Sequence, residues 1–299
     1  MLRPTISANL LFSGAELSRR KRSKLLVPFA SVLMIVFCPL VRGQDNVRPA
    51  PSLATIDISD SLPDSPLPQT ATPAPAGSSD ETTLRNAIPH ILKDQVRIWT
   101  SPARTRVHDL VWLAPLAVAT GAAIATDHRA LTSVVSHDAG FNHDSVDISN
   151  VLTAGLIAAP VGLYGAGHFA GDAHAREAGI LGGEALLDGL VVEQGLKLVF
   201  WRERPIAHNA RGRFFQSAAG VDSSFPSSHS MLAWASAAVI AQEYPSRWVQ
   251  VATISAAAGV SLTRVLGQEH FPSDVLVGSA AGWLIGHYVY RRHHRIRMR

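Results

Sequence analysis

The sequence predicts an all-α protein, a six-helix bundle preceded by an N-terminal export segment and a disordered linker. Two observations predict this class: long apolar stretches of Ala, Leu, Val and Gly recur from about Leu84 onward, and the alternation typical of strands is scarce. A shorter amphipathic piece near 86–98 precedes the main helices. Those six are expected at about 109–126, 148–170, 177–200, 228–243, 247–264 and 273–291.

Residues 1–43 are expected to form a signal peptide or a membrane anchor. A basic cluster at Arg19–Lys24 is followed by the apolar run Leu25–Val41, and small residues suited to cleavage precede Gln44. An uncleaved anchor stays open, because the run approaches the roughly 18 residues of a spanning helix. The only cysteine, Cys38, lies in this run, so a cleaved product would hold no disulfide.

The remainder divides into a linker, 44–83, and a folded domain, 84–299. The linker is rich in Ser, Thr, Ala and Asp and contains seven prolines, which predicts a solvated, disordered tether. Residues 1–43 hold seven of the 27 Lys and Arg and one acid, so the rest has a net charge of −2. The basic balance belongs to the N-terminus, and we expect no nucleic-acid partner.

Membrane contact is left open by the helix patterns. Val151–Gly171 has no Asp, Glu, Lys or Arg, but other helices fall short of the roughly 20 apolar residues that a span needs. If the first segment directs export and all six helices span, the arginine-rich tail lies outside, against the positive-inside tendency. A wholly exported bundle removes this conflict, as does a first segment that neither spans nor exports. We expect export, with the site facing the periplasm.

The string Pro226-Ser227-Ser228-His229 carries the first chemical signal. Pro226 suits the first turn of a helix, with the cap one or two residues before it. The amides that follow would then form an anion site, to which the Ser227 hydroxyl adds a hydrogen bond. His229 would lie beside the anion, where it could protonate a leaving oxygen. An ordinary helix cap is the alternative for this string alone.

The string Arg264-x5-His270-x3-Asp274 repeats the arrangement at the next helix. Pro272 opens that helix, and Asp274 can fold back to His270. A carboxylate bonded to one ring nitrogen fixes the tautomer and leaves the other nitrogen available for attack. Arg264 offers a planar fork of donors for two phosphate oxygens. The alternative is that Asp274 only caps the helix, which is compatible with orienting His270.

The string Lys197-x6-Arg204-Pro205 supplies two more cations. Lys197 lies late in a helix and Arg204 just after its end, where Pro205 stops continuation. Both could neutralise the oxygens of a transferring phosphoryl group. The alternative is a charged helix end that only offsets the macrodipole.

Together the three strings resemble the signature of the type 2 phosphatidic acid phosphatase superfamily, which also includes bacterial acid phosphatases and vanadium-dependent haloperoxidases. The resemblance covers roughly 148–291 and implies a helical bundle with a metal-independent phosphatase site. It implies that His270 is the nucleophile of a phosphohistidine, that Asp274 orients it, and that His229 is acid and then base. The phosphate ligands that it implies are Lys197, Arg204, Ser227, Ser228 and Arg264.

Two positions depart from the family pattern. Ser228 replaces the usual glycine and Thr263 the usual serine, and neither change removes a reacting group. The expected substrates are phosphate monoesters or lipid phosphates, of the phosphatidate or polyprenyl diphosphate class, with no cofactor. A haloperoxidase that binds vanadate in the same pocket is one alternative. A non-catalytic membrane or scaffold protein is another, although every expected reacting residue is present.

Three further groups receive simpler interpretations. Arg202, Arg211 and Arg213 either widen the positive field or form a solvated loop face. The segment that holds Asp127 and His128 is interpreted as an exposed polar loop. The tail combines His287, His293 and His294 with five arginines; we expect no metal there, because neither cysteine nor acid in the tail completes a site. Contact with anionic headgroups suits it better.

Overall fold

The computed structural model describes residues 83–207, 209–216 and 222–295. The expected export segment and almost all of the expected linker lie outside the described residues. Within them the chain forms α-helices, short 3₁₀ turns and one π turn, with no strand. The seven α-helices are α1 Leu84–Thr100, α2 Leu110–Arg129, α3 Ala139–Ala170, α4 Ala173–Phe200, α5 Ser228–Glu243, α6 Arg247–Leu266 and α7 Pro272–His293.

The all-helical class is as predicted, and the boundaries differ most at α3. This helix was expected from about residue 148 and begins at Ala139. The Oδ1 atom of Asp138 accepts a hydrogen bond from the amide of Phe141 at 2.9 Å and caps the helix. The polar residues that follow suggested a loop because they break the apolar pattern, but they occupy the first turns of a long helix.

Helix α5 lies at the centre of the bundle. It packs against α3, α4, α6 and α7, while α1 lies on α4 and α2 contacts α7. The closest approach is between α5 and α7, where Gly278, Gly282 and Gly286 recur every four residues. A Cβ atom at Gly278 would lie 2.7 Å from the Ser227 carbonyl oxygen, and one at Gly282 would collide with the backbone of Met231. The two backbones therefore touch, which fixes the start of α5 beside the start of α7.

Three helical segments are long and apolar enough to cross a membrane: Val107–Val134, Ala139–Ala170 and Arg247–Leu266. None of the most apolar 18 residues of the first segment is buried, and fewer than a third are buried in the others. Large exposed apolar side chains cover these faces, among them Val111, Trp112, Val118, Val151, Val161, Trp248 and Val251. Such faces are typical of contact with lipid. They favour membrane association over a freely soluble bundle.

Candidate active site

The three sequence strings meet at one end of the bundle. The end of α4, the start of α5, the end of α6 and the start of α7 lie there, joined by the 201–227 and 267–271 segments. The ends of neighbouring antiparallel helices meet at the same face, so residues far apart in sequence share one pocket. The end of α2 and the start of α3 also lie at this face, since Asp127 and Ser149 contact the strings.

Lys197 is buried in the last turns of α4. Its Nζ atom lies 2.8 Å from Glu193 Oε1, one turn earlier, and donates to Ser228 Oγ at 2.9 Å. Ser228 Oγ in turn donates to the same Glu193 oxygen at 2.5 Å. The hydroxyl that replaces the usual glycine therefore ties the start of α5 to α4 and fixes the lysine.

Arg204 and Arg264 converge on one carboxylate. Arg204 Nη1 donates to Glu269 Oε2 at 2.9 Å, and Arg264 Nη2 donates to the same oxygen at 3.2 Å. Arg264 is buried, and its Nε–H finds no hydrogen-bond partner among the described residues. An oxygen anion thus already lies between the two guanidinium groups, and one buried donor remains unsatisfied. Helix α4 ends at Phe200, with Trp201 in the left-handed region (φ 37°), so Pro205 is not what terminates it.

The start of α5 differs from the expected cap. Ser227 is the N-cap, and its Oγ accepts a hydrogen bond from Ser230 N at 3.4 Å. Pro226 precedes the cap, after a cis peptide bond with Phe225, and does not occupy the first turn. His229 lies in that first turn and is half-buried. At α7 the expectation is confirmed, because Pro272 is the first helical residue.

His270 is buried directly before α7. Its Nδ1 atom lies 2.8 Å from the Ser224 carbonyl oxygen, 3.4 Å from Ser224 Oγ and 3.7 Å from Asp274 Oδ2. A carbonyl oxygen only accepts, so Nδ1 carries the proton and Nε2 carries the lone pair. The Ser224 backbone, more than Asp274, therefore fixes the tautomer that a nucleophile requires.

Asp274 holds the groups around His270 in place. Its Oδ2 atom accepts from Ser224 Oγ at 2.5 Å and from the amide of Phe271 at 2.9 Å. Its Oδ1 atom accepts from Arg202 Nη1 at 2.5 Å. The carboxylate thus acts on His270 through Ser224 and adds a negative charge nearby, and it also caps α7 as the alternative interpretation proposed.

Arg202 and Asp127 are the residues that sequence reasoning missed. Arg202 is 2% exposed, not part of a solvated loop face, and its Nη2 atom lies 2.6 Å from Asp127 Oδ2. The guanidinium lies between the rings of Phe214 and Phe271. Asp127 ends up buried in α2, where it also accepts from Ser273 N at 3.1 Å. The Arg202–Asp274 separation of 72 residues gives no sequence signal. Arg211 and Arg213 are exposed, as the loop interpretation expects.

The electrostatics of the pocket favour neutral histidines. Burial, and then the charges of Arg264, His270, Lys197 and Arg204, lower the pKa of His229 to about 4. Burial also lowers the pKa of His270, against the opposing effect of Asp274. The pKa of His229 is therefore lowered by all three expected phosphate-binding cations and by the proposed nucleophile, His270. A bound anion would offset these charges.

Part of this chain is similar to known proteins. Residues 178–298 match the family model described as "PAP2 superfamily". A lipid A 1-phosphatase from Porphyromonas gingivalis is 34% identical over 110 residues, which cover 36% of this chain and 22% of the relative. The matched region thus spans about a fifth of the curated relative's length.

One solved structure is also similar. It is described as the first transmembrane PAP2 type phosphatidylglycerolphosphate phosphatase from Bacillus subtilis. The two chains are 19% identical, and the match covers 71% of this chain and 98% of the other, with a TM-score of 0.39.

The matched segment, residues 178–298, contains every residue predicted from the three strings, from Lys197 to Asp274. Asp127 lies outside it, on α2. The pocket is therefore built mainly from the matched segment, while the preceding helices contribute a buried carboxylate that supports Arg202.

Proposed function

We propose that this protein is a membrane-associated, metal-independent phosphatase that hydrolyses lipid phosphates through a phosphohistidine on Nε2 of His270. The observation that carries the proposal is the shared Glu269 oxygen between Arg204 and Arg264, directly beside the proposed nucleophile. A phosphate oxygen could replace that carboxylate oxygen and would gain the unsatisfied Nε–H of Arg264. The match to a PAP2 family model and the lipid A 1-phosphatase supports the same reaction class.

In the first step the phosphate would bind between Lys197, Arg204 and Arg264, with the amides at the start of α5 as further donors. Nε2 of His270 would attack phosphorus as the ester P–O bond breaks. His229 would donate a proton to the leaving oxygen. Because its pKa in the empty pocket is about 4, His229 must first gain a proton, which the bound anion favours.

In the second step water would attack the phosphohistidine. Neutral His229 would accept a proton from that water, the P–N bond would break, and inorganic phosphate would leave. His270 would return with its proton on Nδ1, held by the Ser224 carbonyl. Asp274 would stabilise the ring while it carries positive charge.

The lipid substrate class follows from the outer faces of the helices. The pocket lies at one end of α3 and α6, both long and apolar enough to cross a membrane. A phosphate on a lipid headgroup would lie at that depth, level with the ends of these helices. A lipid phosphate monoester or a polyprenyl diphosphate suits the site better than a soluble ester.

The orientation also has support from charge. Arg291, Arg292 and Arg295 lie at the end of the bundle opposite the pocket, followed by Arg297 and Arg299 in sequence. The positive-inside tendency favours that end in the cytoplasm and the pocket on the periplasmic face. This orientation requires that the apolar run Leu25–Val41 does not translocate the chain that follows it, including α1, across the membrane.

The test uses the full chain in detergent micelles with excess chelator, at a temperature well below its melting. Phosphate release from a phosphatidate and from a soluble aryl phosphate is compared for the wild type, His270→Ala and His270→Asn. His143→Ala, an exposed histidine near the start of α3, is the matched control. We expect chelator-resistant release in the wild type and the control, faster on the lipid, and loss in both His270 variants.

Labelled substrate gives a second readout. The phosphoenzyme should survive alkali and be lost in acid, as a phosphohistidine is. It should accumulate in His229→Ala when the labelled substrate is the aryl phosphate, whose leaving group depends least on a general acid. Equal turnover by His270→Asn would contradict the nucleophile. Release from the aryl ester alone would contradict the lipid class. Oxidation that requires vanadate, peroxide and halide, without phosphate release, would favour the haloperoxidase.

A further inference from the structure

A second polar cluster lies at the end of the bundle opposite the phosphate pocket. His90 of α1, Glu184 of α4 and His293 of α7 each offer one ligand atom, and these atoms all lie within 4.8 Å of one another. His90 Nδ1 is 3.0 Å from Glu184 Oε1, and the rings of His90 and His293 stack with centroids 4.2 Å apart. Since α7 has 22 residues, the cluster lies about 30 Å from the start of α7.

Two more carboxylates surround the cluster. Asp94 Oδ2 is 2.7 Å from His293 Nε2, and Asp94 Oδ1 accepts from the Tyr288 hydroxyl at 2.8 Å. Asp188 Oδ1 accepts from Gln95 Nε2 at 2.8 Å. Within the described ranges, the ion pairs of Asp94 and Glu184 are with histidine only, and Asp188 has none. Three buried carboxylates thus lie together, and no described lysine or arginine pairs with them.

Two carboxylate oxygens in this region have no hydrogen-bond partner in the part of the chain that the structure describes. Glu184 Oε2 and Asp188 Oδ2 are fully buried, and neither has a hydrogen bond with any described residue. Glu184 as a whole is 2% exposed. A buried carboxylate oxygen without a partner is costly and rare in native proteins, because it loses hydration without compensation. The arrangement calls for a cation beside Glu184.

We propose that His90, Glu184 and His293 bind a divalent transition-metal ion, with zinc as the best fit. Two imidazoles and one carboxylate are a donor set that zinc takes readily, whereas magnesium and calcium prefer oxygen alone. Ligands of a tetrahedral zinc ion at about 2.0–2.1 Å lie roughly 3.3 Å apart. The present separations of up to 4.8 Å would shorten by about 1.5 Å or less to reach this.

Asp94 serves as the positioning residue for this site. A carboxylate on the second nitrogen of a zinc-binding imidazole fixes the ring and raises its basicity. Asp94 holds His293 in this way, and Tyr288 holds Asp94. No metal site was expected from the sequence, because the tail holds histidines without acids. The acids come from α1 and α4, 199 and 109 positions away from His293.

The ion would act on the fold rather than on catalysis. Its ligands come from three helices, and α1 otherwise packs mainly on α4. Bound zinc would join α1 and the end of α7 to α4. Because the site is remote from His270, its occupancy should leave chelator-resistant phosphate release intact in folded protein, so the two proposals can fail separately.

The experiment uses untagged full-length protein, stripped with chelator, dialysed and then supplied with Zn²⁺, Co²⁺ or Mg²⁺. Bound metal is measured by elemental analysis, ligation by the visible absorption of Co²⁺, and stability by melting in detergent. We expect about one Zn²⁺ or Co²⁺ per chain, a higher melting temperature and slower proteolysis of α1, with no effect of Mg²⁺. Asp94→Asn should weaken zinc binding by roughly 10- to 100-fold.

The isosteric Glu184→Gln and the variant His293→Gln should lose the ion and its stabilisation. His294→Gln is the matched control, because that neighbouring imidazole pairs with Glu243 at 2.9 Å instead of joining the cluster. The stripped forms of all variants are melted beside the stripped wild type, which separates loss of metal from loss of fold. Stripped wild type that takes up no Zn²⁺ would overturn the proposal. So would equally tight binding by folded Glu184→Gln.

Discussion

The guanidinium of Arg202 and the carboxylate of Asp274 form a buried ion pair, with Nη1 and Oδ1 2.5 Å apart. Asp127 holds the other side of the same guanidinium at 2.6 Å. A carboxylate from α2 and one from α7 thus share one cation from the segment after α4. Arg202 and the two carboxylates therefore connect the end of α2, the end of α4 and the start of α7, close to His270.

Replacing Arg202 with Met should destabilise the protein by about 3–5 kcal/mol, because two buried carboxylates lose their cation. Melting in detergent checks the stability, and phosphate release checks the site. Asp127→Asn should cost less, since Arg202 keeps Asp274. Adding Asp127→Asn to Arg202→Met should recover part of the loss. A stable and active Arg202→Met would mean that the cation is dispensable.

Glu269→Gln should strengthen inhibition by inorganic phosphate. The carboxylate competes for Arg204 and Arg264, and a partly exposed ion pair contributes up to about 1 kcal/mol, which corresponds to roughly fivefold in affinity. Inhibition constants at fixed pH measure the change. Asp222→Asn is the control, because that exposed carboxylate pairs with Arg204 and, among the described residues, not with Arg264. Weaker inhibition of Glu269→Gln would instead make Glu269 a positioning residue for the arginines.

Ser224→Ala should lower kcat by about tenfold or less, because it removes one hydrogen bond to Asp274 and leaves the backbone carbonyl on His270 Nδ1. Asp274→Ala should cost roughly 100-fold or more, since it removes the charge beside the ring and one of the two carboxylates that hold Arg202. Turnover numbers and melting temperatures of both variants separate chemistry from folding. A larger loss in Ser224→Ala than in Asp274→Ala would contradict this division of roles.

Anion binding should be accompanied by proton uptake on His229. The pKa of this histidine is lowered to about 4 in the empty pocket, and a bound anion raises it. Between the two pKa values the empty site is neutral and the occupied site protonated, so affinity should increase as pH falls. Sulfate is a suitable probe, because it keeps its charge over this range.

Calorimetric titration with sulfate in two buffers of different ionisation enthalpy, at about pH 6, measures that uptake. His229→Gln should bind sulfate without it. The same uptake in both proteins would assign the proton to another group.

The parts of the site that sequence predicted are those carried by local spacing. Lys197 and Arg204 lie on either side of the end of α4, and His270 and Asp274 lie four residues apart at the start of α7. The spacing in the sequence is therefore enough to predict that each pair lies close together. Contacts made across the bundle left no such pattern. Asp127 was interpreted as part of an exposed loop. Arg202 was interpreted either as part of a solvated loop face or as a cation that widens the positive field, because nothing nearby in sequence shows its buried partners.

The helices follow the same division. The start of α5 near residue 228 was predicted, although its cap was expected at Ser224 or Phe225. The nine extra residues at the start of α3 include Asn142, His143, Asp144, Ser145 and Asp147, and this stretch was assigned to a loop. Charge and polarity report exposure to water, whereas a helix continues through exposed residues when its cap and hydrogen bonds allow it. Membrane association could not be inferred from the sequence alone, because it depends on which helix faces the other helices leave exposed. Only the packed structure shows those faces.

The glycine stripe on α7 has a consequence for variation at positions distant from the pocket. Gly282 and Gly286 touch no reacting group, yet any side chain there forces α7 away from α5. His270 precedes the start of α7 and His229 lies at the start of α5, so such a change alters the spacing between the proposed nucleophile and the proposed acid. In a library of random substitutions, inactivating changes on α7 should therefore recur every four residues, at positions that do not contact the substrate.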